Sequence, residues 1–103
     1  MTKKTFVTSG PLMDAVRKLD YKTQYKVCEA FYQMMREGVM GDDSEMCLIF
    51  HDRFEEINPV LLAMSMKELH FAVNDMDNAI YEIDIHYPAT FNMIARTLTP
   101  LIK

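Results

Sequence analysis

A regular run of apolar residues between Ser65 and Tyr87 limits the folds that this chain can adopt. Its members recur at alternating steps of three and four residues, which puts them on one face of an α-helix. This face, called the seam below, consists of Met66, Leu69, Val73, Met76, Ile80, Ile83 and Tyr87. Ser65 and Glu68 match a capping box at its start, and Pro88 ends the element. The seam predicts one long heptad-patterned helix, which serves either as the core helix of a bundle or as a self-association face.

The middle of this stretch leaves a second interpretation open for residues 79–87. Residues 74–78 are rich in Asn and Asp, which compete for backbone hydrogen bonds and are poor residues for a helix interior. If they formed a loop, the alternation of Tyr81, Ile83 and Ile85 with polar residues would indicate a half-exposed strand. An α+β fold would then pair residues 5–8, 46–50 and 81–87 in a small three-stranded sheet. We favour the unbroken helix, because a pattern sustained over three heptads arises less readily by chance than one alternation.

The rest of the chain predicts further helices and, with the seam helix, a small all-α bundle of about five helices. Apolar residues at helical spacing cover residues 11–19, 21–37, 45–57 and 89–99, with a short apolar segment over 59–64. The expected caps are Ser9, Asp20, either Asp43 or Ser44, Asn58 and, at a C-terminus, Gly38. The length predicts a single domain over residues 1–103, in which residues 1–9 form a basic N-terminal arm.

The charge is distributed unevenly along the chain. The net charge is −4, but residues 1–26 carry +4 and residues 27–103 carry −8. A basic head on an acidic body can dock internally, contact phosphates or pair with another copy. We expect a soluble, cytoplasmic protein, because the chain shows no targeting segment and no apolar run long enough to span a membrane. Its two cysteines, Cys28 and Cys47, are expected to be reduced core thiols.

The residues that could carry catalysis do not form a pattern that chemistry requires. His51 and Glu55, like Glu82 and His86, are four residues apart and could each supply two metal ligands from one helix face. A zinc site needs three or four ligands, and the spacing indicates no third. With three glycines, the chain also offers no phosphate-cradling loop. The sequence therefore predicts a non-enzymatic protein with no catalytic residues, no metal and no cofactor.

Two kinds of binding function remain. Ten methionines far exceed ordinary usage; they fill a tolerant core or supply an adaptable binding surface. A Met- and Tyr-rich apolar surface flanked by acidic residues predicts a regulator or inhibitor that binds a protein partner and self-associates, most simply as a homodimer. The alternative is a nucleic acid or a small anionic, nucleotide-like ligand bound by the basic surface of residues 17–26. The side chains expected to bind there are Lys18, Tyr21, Lys22, Tyr25 and Lys26.

Overall fold

Five α-helices account for most of this chain in a computed structural model that describes residues 8–37 and 42–102. They are α1 (Ser9–Arg17), α2 (Tyr21–Glu37), α3 (Asp43–Glu56), α4 (Met66–His86) and α5 (Pro88–Leu98), with 3-10 turns at Pro59–Leu61 and Thr99–Leu101. Residues 8–37 and 42–102 contain no β-strand. The all-α prediction is confirmed, and the alternative three-stranded sheet does not form at residues 46–50 or 81–87. Residues 5–8 of that alternative lie outside the described residues, except for Thr8, which precedes α1.

The long helix α4 runs unbroken through the Asn- and Asp-rich stretch. Leu69, Val73, Met76, Ile80 and Ile83 are all buried, with at most 4% of each side chain exposed. Asn74, Asp75 and Asn78 point to solvent from the other side of the helix. Since burial of the apolar face stabilises the helix more than intrinsic propensity does, these poor helix formers are tolerated there. The two ends of the seam lie outside the core, because Met66 is 48% exposed and Tyr87 is half-buried.

The other four helices pack around a single core. α4 lies against α1, α2 and α5, and α3 packs on α2 and α5. The core includes large side chains from all five helices, among them Leu12, Phe31, Phe50, Met76 and Ile94. None of the helices in the described ranges is long and apolar enough to cross a membrane.

Three helices are capped by residues next to them in the sequence. The Asp20 carboxylate accepts a hydrogen bond from the backbone N–H of Thr23 at 2.8 Å, which confirms the predicted cap of α2. The predicted capping box of α4 is also present, with Ser65 and Glu68 each accepting from the other's backbone N–H. The cap of α3 is Asp42, which accepts from the N–H of Glu45 at 3.1 Å, and not Asp43 or Ser44 as predicted.

The remaining two helices are capped by carboxylates from other helices. Asp43, at the start of α3, accepts hydrogen bonds from the backbone N–H groups of Ala89 and Thr90 at 2.7 and 2.8 Å. It also accepts from the buried Thr90 hydroxyl at 2.7 Å. At α1, the predicted Ser9 cap is wrong: Ser9 is the first residue of the helix, and its N–H donates to Asp84 of α4 at 3.0 Å. These carboxylates satisfy helix-end donors that have no intrahelical acceptor.

Three further predictions differ from the structure or lie beyond it. The segment after Asn58 forms only a 3-10 turn, with Val60 and Leu61 each 71% exposed. None of the residues of this turn is buried, so it lacks the covered apolar face that stabilises most helices. The expected N-terminal arm cannot extend to Ser9, which begins α1. Residues 1–7 of that arm and the predicted C-cap Gly38 lie outside the described residues.

We expect the replacement of Ile80 by Asp to unfold the protein. Ile80 is fully buried; truncation to Ala at such a site costs about 2–5 kcal/mol, and an unpaired buried charge costs more. The matched control is Tyr81→Asp, because the neighbouring Tyr81 side chain is 58% exposed. Urea unfolding followed by circular dichroism should show a change within about 1 kcal/mol for this control. A folded Ile80→Asp variant of ordinary stability would contradict the buried position of the seam.

We expect Asp43→Ala to lower the free energy of unfolding by about 1–2 kcal/mol at neutral pH, as the loss of a helix cap does. Burial of the Asp43 carboxyl acts to raise its pKa, but hydrogen bonds from the Thr90 hydroxyl and from the N–H groups of Ala89 and Thr90 outweigh it and hold the pKa below its ordinary value. The stabilisation is therefore complete above about pH 4 and is lost as the pH falls through the folded-state pKa.

The free energy of unfolding of the wild type and of Asp43→Ala is measured by urea unfolding from neutral pH down to below about pH 4. The difference between the two proteins should shrink in acid. The exposed Asp52 provides the control, and Asp52→Ala should change stability by less than about 0.5 kcal/mol. A difference that stayed constant down to the lowest pH would show that the Asp43 charge does not stabilise α5.

Candidate functional site

The face of α4 opposite the seam carries a second row of residues at heptad spacing. This row, called the outer stripe below, consists of Phe71, Asn74, Asn78, Tyr81 and Ile85. Its members follow one another at steps of three and four residues, so they lie along one side of the helix. All five are exposed, and the three large apolar side chains are 58%, 58% and 53% exposed for Phe71, Tyr81 and Ile85. From Phe71 to Ile85 the stripe extends for about 21 Å along the helix axis.

Carboxylates line both edges of the outer stripe. Along the edge nearer α2 lie Glu68, Asp75 and Glu82, and along the edge nearer α1 lie Asp77 and Asp84. Lys67, one turn before Phe71, is the one basic residue of α4 apart from its histidines, so the helix carries a net charge of −4 with neutral His. The stripe is therefore an apolar row within a negatively charged border.

The carboxylates of the two acidic edges differ in how far they are exposed and in the contacts they form within the protein. On the α1 side, Asp77 forms an ion pair with Arg17, and Asp84 accepts from the Ser9 N–H. On the other side, Glu82 is exposed beside His86 at 3.4 Å, and Asp75 accepts from the Tyr32 hydroxyl at 3.4 Å. All three α2-side carboxylates are exposed, although Glu68 belongs to the capping box and Asp75 accepts from Tyr32. Asp77 and Asp84 on the α1 side are half-buried against α1.

The lysines and tyrosines predicted to bind anions do not converge on one place. Tyr25 is buried, with 7% of its side chain exposed, and Lys26 places its Nζ atom 4.4 Å from the centroid of the Phe54 ring. Lys18 and Lys22 are exposed. Tyr21 lines a groove of about 330 Å³, together with Arg17, Gln24, Met66, Leu69, His70 and Val73. Of the predicted set, the structure brings Tyr21 to this groove, where Arg17 already pairs with Asp77; anion binding stays a prediction.

The two cysteines are buried or half-buried, and the histidines of the predicted pairs lie at the surface. Burial raises the pKa of the Cys28 thiol to about 12, and the neighbouring Glu29 adds to this. Burial also raises the pKa of the half-buried Cys47, against an opposing effect of Arg96. Of the histidines in the predicted pairs, His86 contacts its predicted partner Glu82 at 3.4 Å, whereas His51 contacts Asp52 at 3.5 Å. Among residues 8–37 and 42–102, no three His, Cys, Asp or Glu side chains are grouped to hold a metal ion.

Methionines contribute to the core more than to the surface. Met13, Met34, Met46 and Met76 are completely buried, and three others in the described ranges are half-buried. Met66 is the exposed methionine of the described residues. Among the described residues, methionine therefore contributes little to the exposed apolar surface.

Reasoning from the sequence did not single out the outer stripe. Its alternating spacing was available, but Asn74 and Asn78 interrupt its apolar character, and Tyr81 and Ile85 also fit a strand alternation. No protein-family model matches this chain, and neither a curated protein nor a solved structure matches it. The outer stripe is the candidate site because of its exposure, its spacing and its rigid support.

We expect the two thiols to differ sharply in reactivity. Cys28 is fully buried and stays protonated at neutral pH because its pKa is about 12, so it should not react with a thiol reagent in the folded protein. Cys47 should react slowly, and both should react in urea. In a Cys47→Ser variant, the native protein should show no modification; rapid labelling of Cys28 in that variant would contradict its burial.

Proposed function

We propose that this protein is a non-enzymatic regulatory module that docks on a protein partner through the outer stripe of α4. The observation that carries the proposal is the row of three large apolar side chains, each more than half exposed, on the solvent face of the longest helix. Exposed apolar residues scattered singly are ordinary, but a row of them on one rigid element is typical of a contact surface. Phe and Tyr are large anchors of the kind that supply much of the energy in interfaces.

The way in which α4 is held supports this role. Its seam is buried against three other helices, and its first turn is fixed by the capping box of Ser65 and Glu68. The outer stripe is therefore already ordered before a partner arrives, and docking requires little further loss of chain entropy. A module of this kind acts by covering the partner's surface, which is the basis for proposing regulation or inhibition.

Within one chain, most of the seam is already buried and offers no surface for self-association. Five of its residues, Leu69, Val73, Met76, Ile80 and Ile83, already fill the core of one molecule, so they are not available to a second copy without unfolding. The predicted homodimer stays a prediction, and the proposal here assigns the contact to a different face of the same helix.

We expect Phe71→Glu combined with Ile85→Glu to abolish capture of the natural partner. Both side chains are exposed, so the variant should keep the thermal unfolding curve of the wild type. The matched control, Leu48→Glu combined with Val60→Glu, adds the same charges at side chains that are 63% and 71% exposed and lie away from α4.

The measurement is quantitative mass spectrometry of proteins bound to the tagged chain in the cells that produce it. The wild type and the control should retain one stoichiometric partner, and the α4 variant should lose it by at least about tenfold. Retention of that partner by the α4 variant, or the absence of a stoichiometric partner, would contradict the proposal.

A further inference from the structure

We infer that the outer stripe of α4 binds an amphipathic helix with basic flanks, rather than a second copy of this chain. The inference rests on the proposed function and names the chemical class of its partner. Three features carry it: the heptad spacing of the stripe, the acidic edges on both sides, and the two asparagines between the apolar anchors.

The spacing of the outer stripe matches the geometry of helix-on-helix packing. Steps of three and four residues keep a row of side chains facing one neighbouring helix, so that each inserts between side chains of the partner. Phe71 lies at one end of the row, and Tyr81 and Ile85 lie at the other. A partner helix of about four turns would cover the stripe's length of about 21 Å. Apolar residues of that helix would contact the two ends of the stripe.

The charges at the edges disfavour a symmetric pairing of two α4 helices. In a parallel pair, the edge with Asp75 and Glu82 would face the edge with Asp77 and Asp84 of the other copy. In an antiparallel pair, each edge would face its own equivalent. Carboxylates oppose carboxylates in both orientations, and like charges at these flanking positions disfavour association. A helix with Lys or Arg at its flanks would instead place a cation opposite each exposed carboxylate.

The asparagines determine what the centre of the partner must offer. The Asn74 Nδ2 atom contacts His70 Nε2 at 3.4 Å, which leaves its carbonyl oxygen to be satisfied. Covering Asn74 and Asn78 with apolar side chains alone would therefore bury amide groups with unmade hydrogen bonds, which is costly. An Asn or Gln of the partner at the facing position can exchange hydrogen bonds with them. Polar contacts within an apolar row also fix which residues face each other. The partner helix therefore carries apolar residues at both ends, an amide side chain at the centre and basic residues along its sides.

Synthetic peptides test this inference on the intact protein. The first peptide has Leu at its heptad core positions, one central Asn and Lys at all flanking positions; the repelling lysines keep it from pairing with itself. The second replaces every flanking Lys by Glu, and the third has the composition of the first in scrambled order. Binding is measured by fluorescence anisotropy at low and high salt. The Lys peptide should bind at least about tenfold more tightly than either of the others.

Variants of the protein locate the binding and test the role of charge. Phe71→Ala combined with Ile85→Ala should weaken binding of the Lys peptide by at least about tenfold, and the exposed-residue control Leu48→Ala should not. Asp75→Lys combined with Glu82→Lys should reverse the preference towards the Glu peptide. Unfolding curves verify that each variant retains the fold. High salt should weaken the Lys peptide's binding without abolishing its dependence on Phe71 and Ile85.

Three results would overturn the inference. Equal binding of the Lys and Glu peptides would show that the acidic edges do not select the partner. Equal binding of the scrambled peptide, unaffected by the Phe71 and Ile85 variant, would mean that the acidic surface attracts any polycation. A dimer in sedimentation experiments that this variant dissociates would identify a second copy as the occupant. Each of these results would overturn only the inference about the partner's chemistry. The proposed function would still hold if the Phe71→Glu and Ile85→Glu variant loses the natural partner in the capture experiment.

Discussion

The structure depends on the fact that α4 has apolar stripes on opposite faces and that one chain can bury only one of them. The seam is buried because Leu69, Val73, Met76, Ile80 and Ile83 are apolar without interruption. The outer stripe contains Asn74 and Asn78, whose amides would lack partners in a core of this size. Once the seam is covered by α1, α2 and α5, the outer stripe must face solvent. The candidate contact surface is thus a direct consequence of how the core is built.

Acidic residues of α3 and α4 hold the ends of neighbouring helices in place. Asp43 of α3 holds the first turn of α5, and Asp84 of α4 holds the first turn of α1. Asp77 adds an ion pair to Arg17 at the other end of α1. These contacts reduce the number of carboxylates that are merely solvated. They also leave the two edges of the outer stripe unequal, with Asp75 and Glu82 the more available for a partner.

The proposed function follows from the exposed apolar row of α4 together with the rigidity of this helix. Phe71, Tyr81 and Ile85 are presented on a helix whose opposite face is fixed in the core, so the surface is ordered in advance. The acidic border adds orientation and selectivity, because a basic partner is favoured and an identical acidic helix is disfavoured. The basic surface of residues 17–26 is less organised, since Tyr25 is buried and Lys26 rests on the Phe54 ring.

The sequence by itself determined the features that depend on neighbouring residues. The favoured all-α class, the capping box of α4 and the Asp20 cap follow from helical periodicity and hydrogen bonds that span about one turn. The strand that the sequence left open for residues 79–87 was ruled out only by the burial of the seam, which keeps α4 unbroken. Tertiary structure decided that Asp43 caps α5, which lies 46 residues away, and that Asp84 rather than Ser9 satisfies α1. It also decided which Tyr and Met side chains are exposed, and that five residues of the seam are buried in the chain's own core. Spacing along the chain encodes a face of a helix, but only the arrangement of the other helices determines what covers that face.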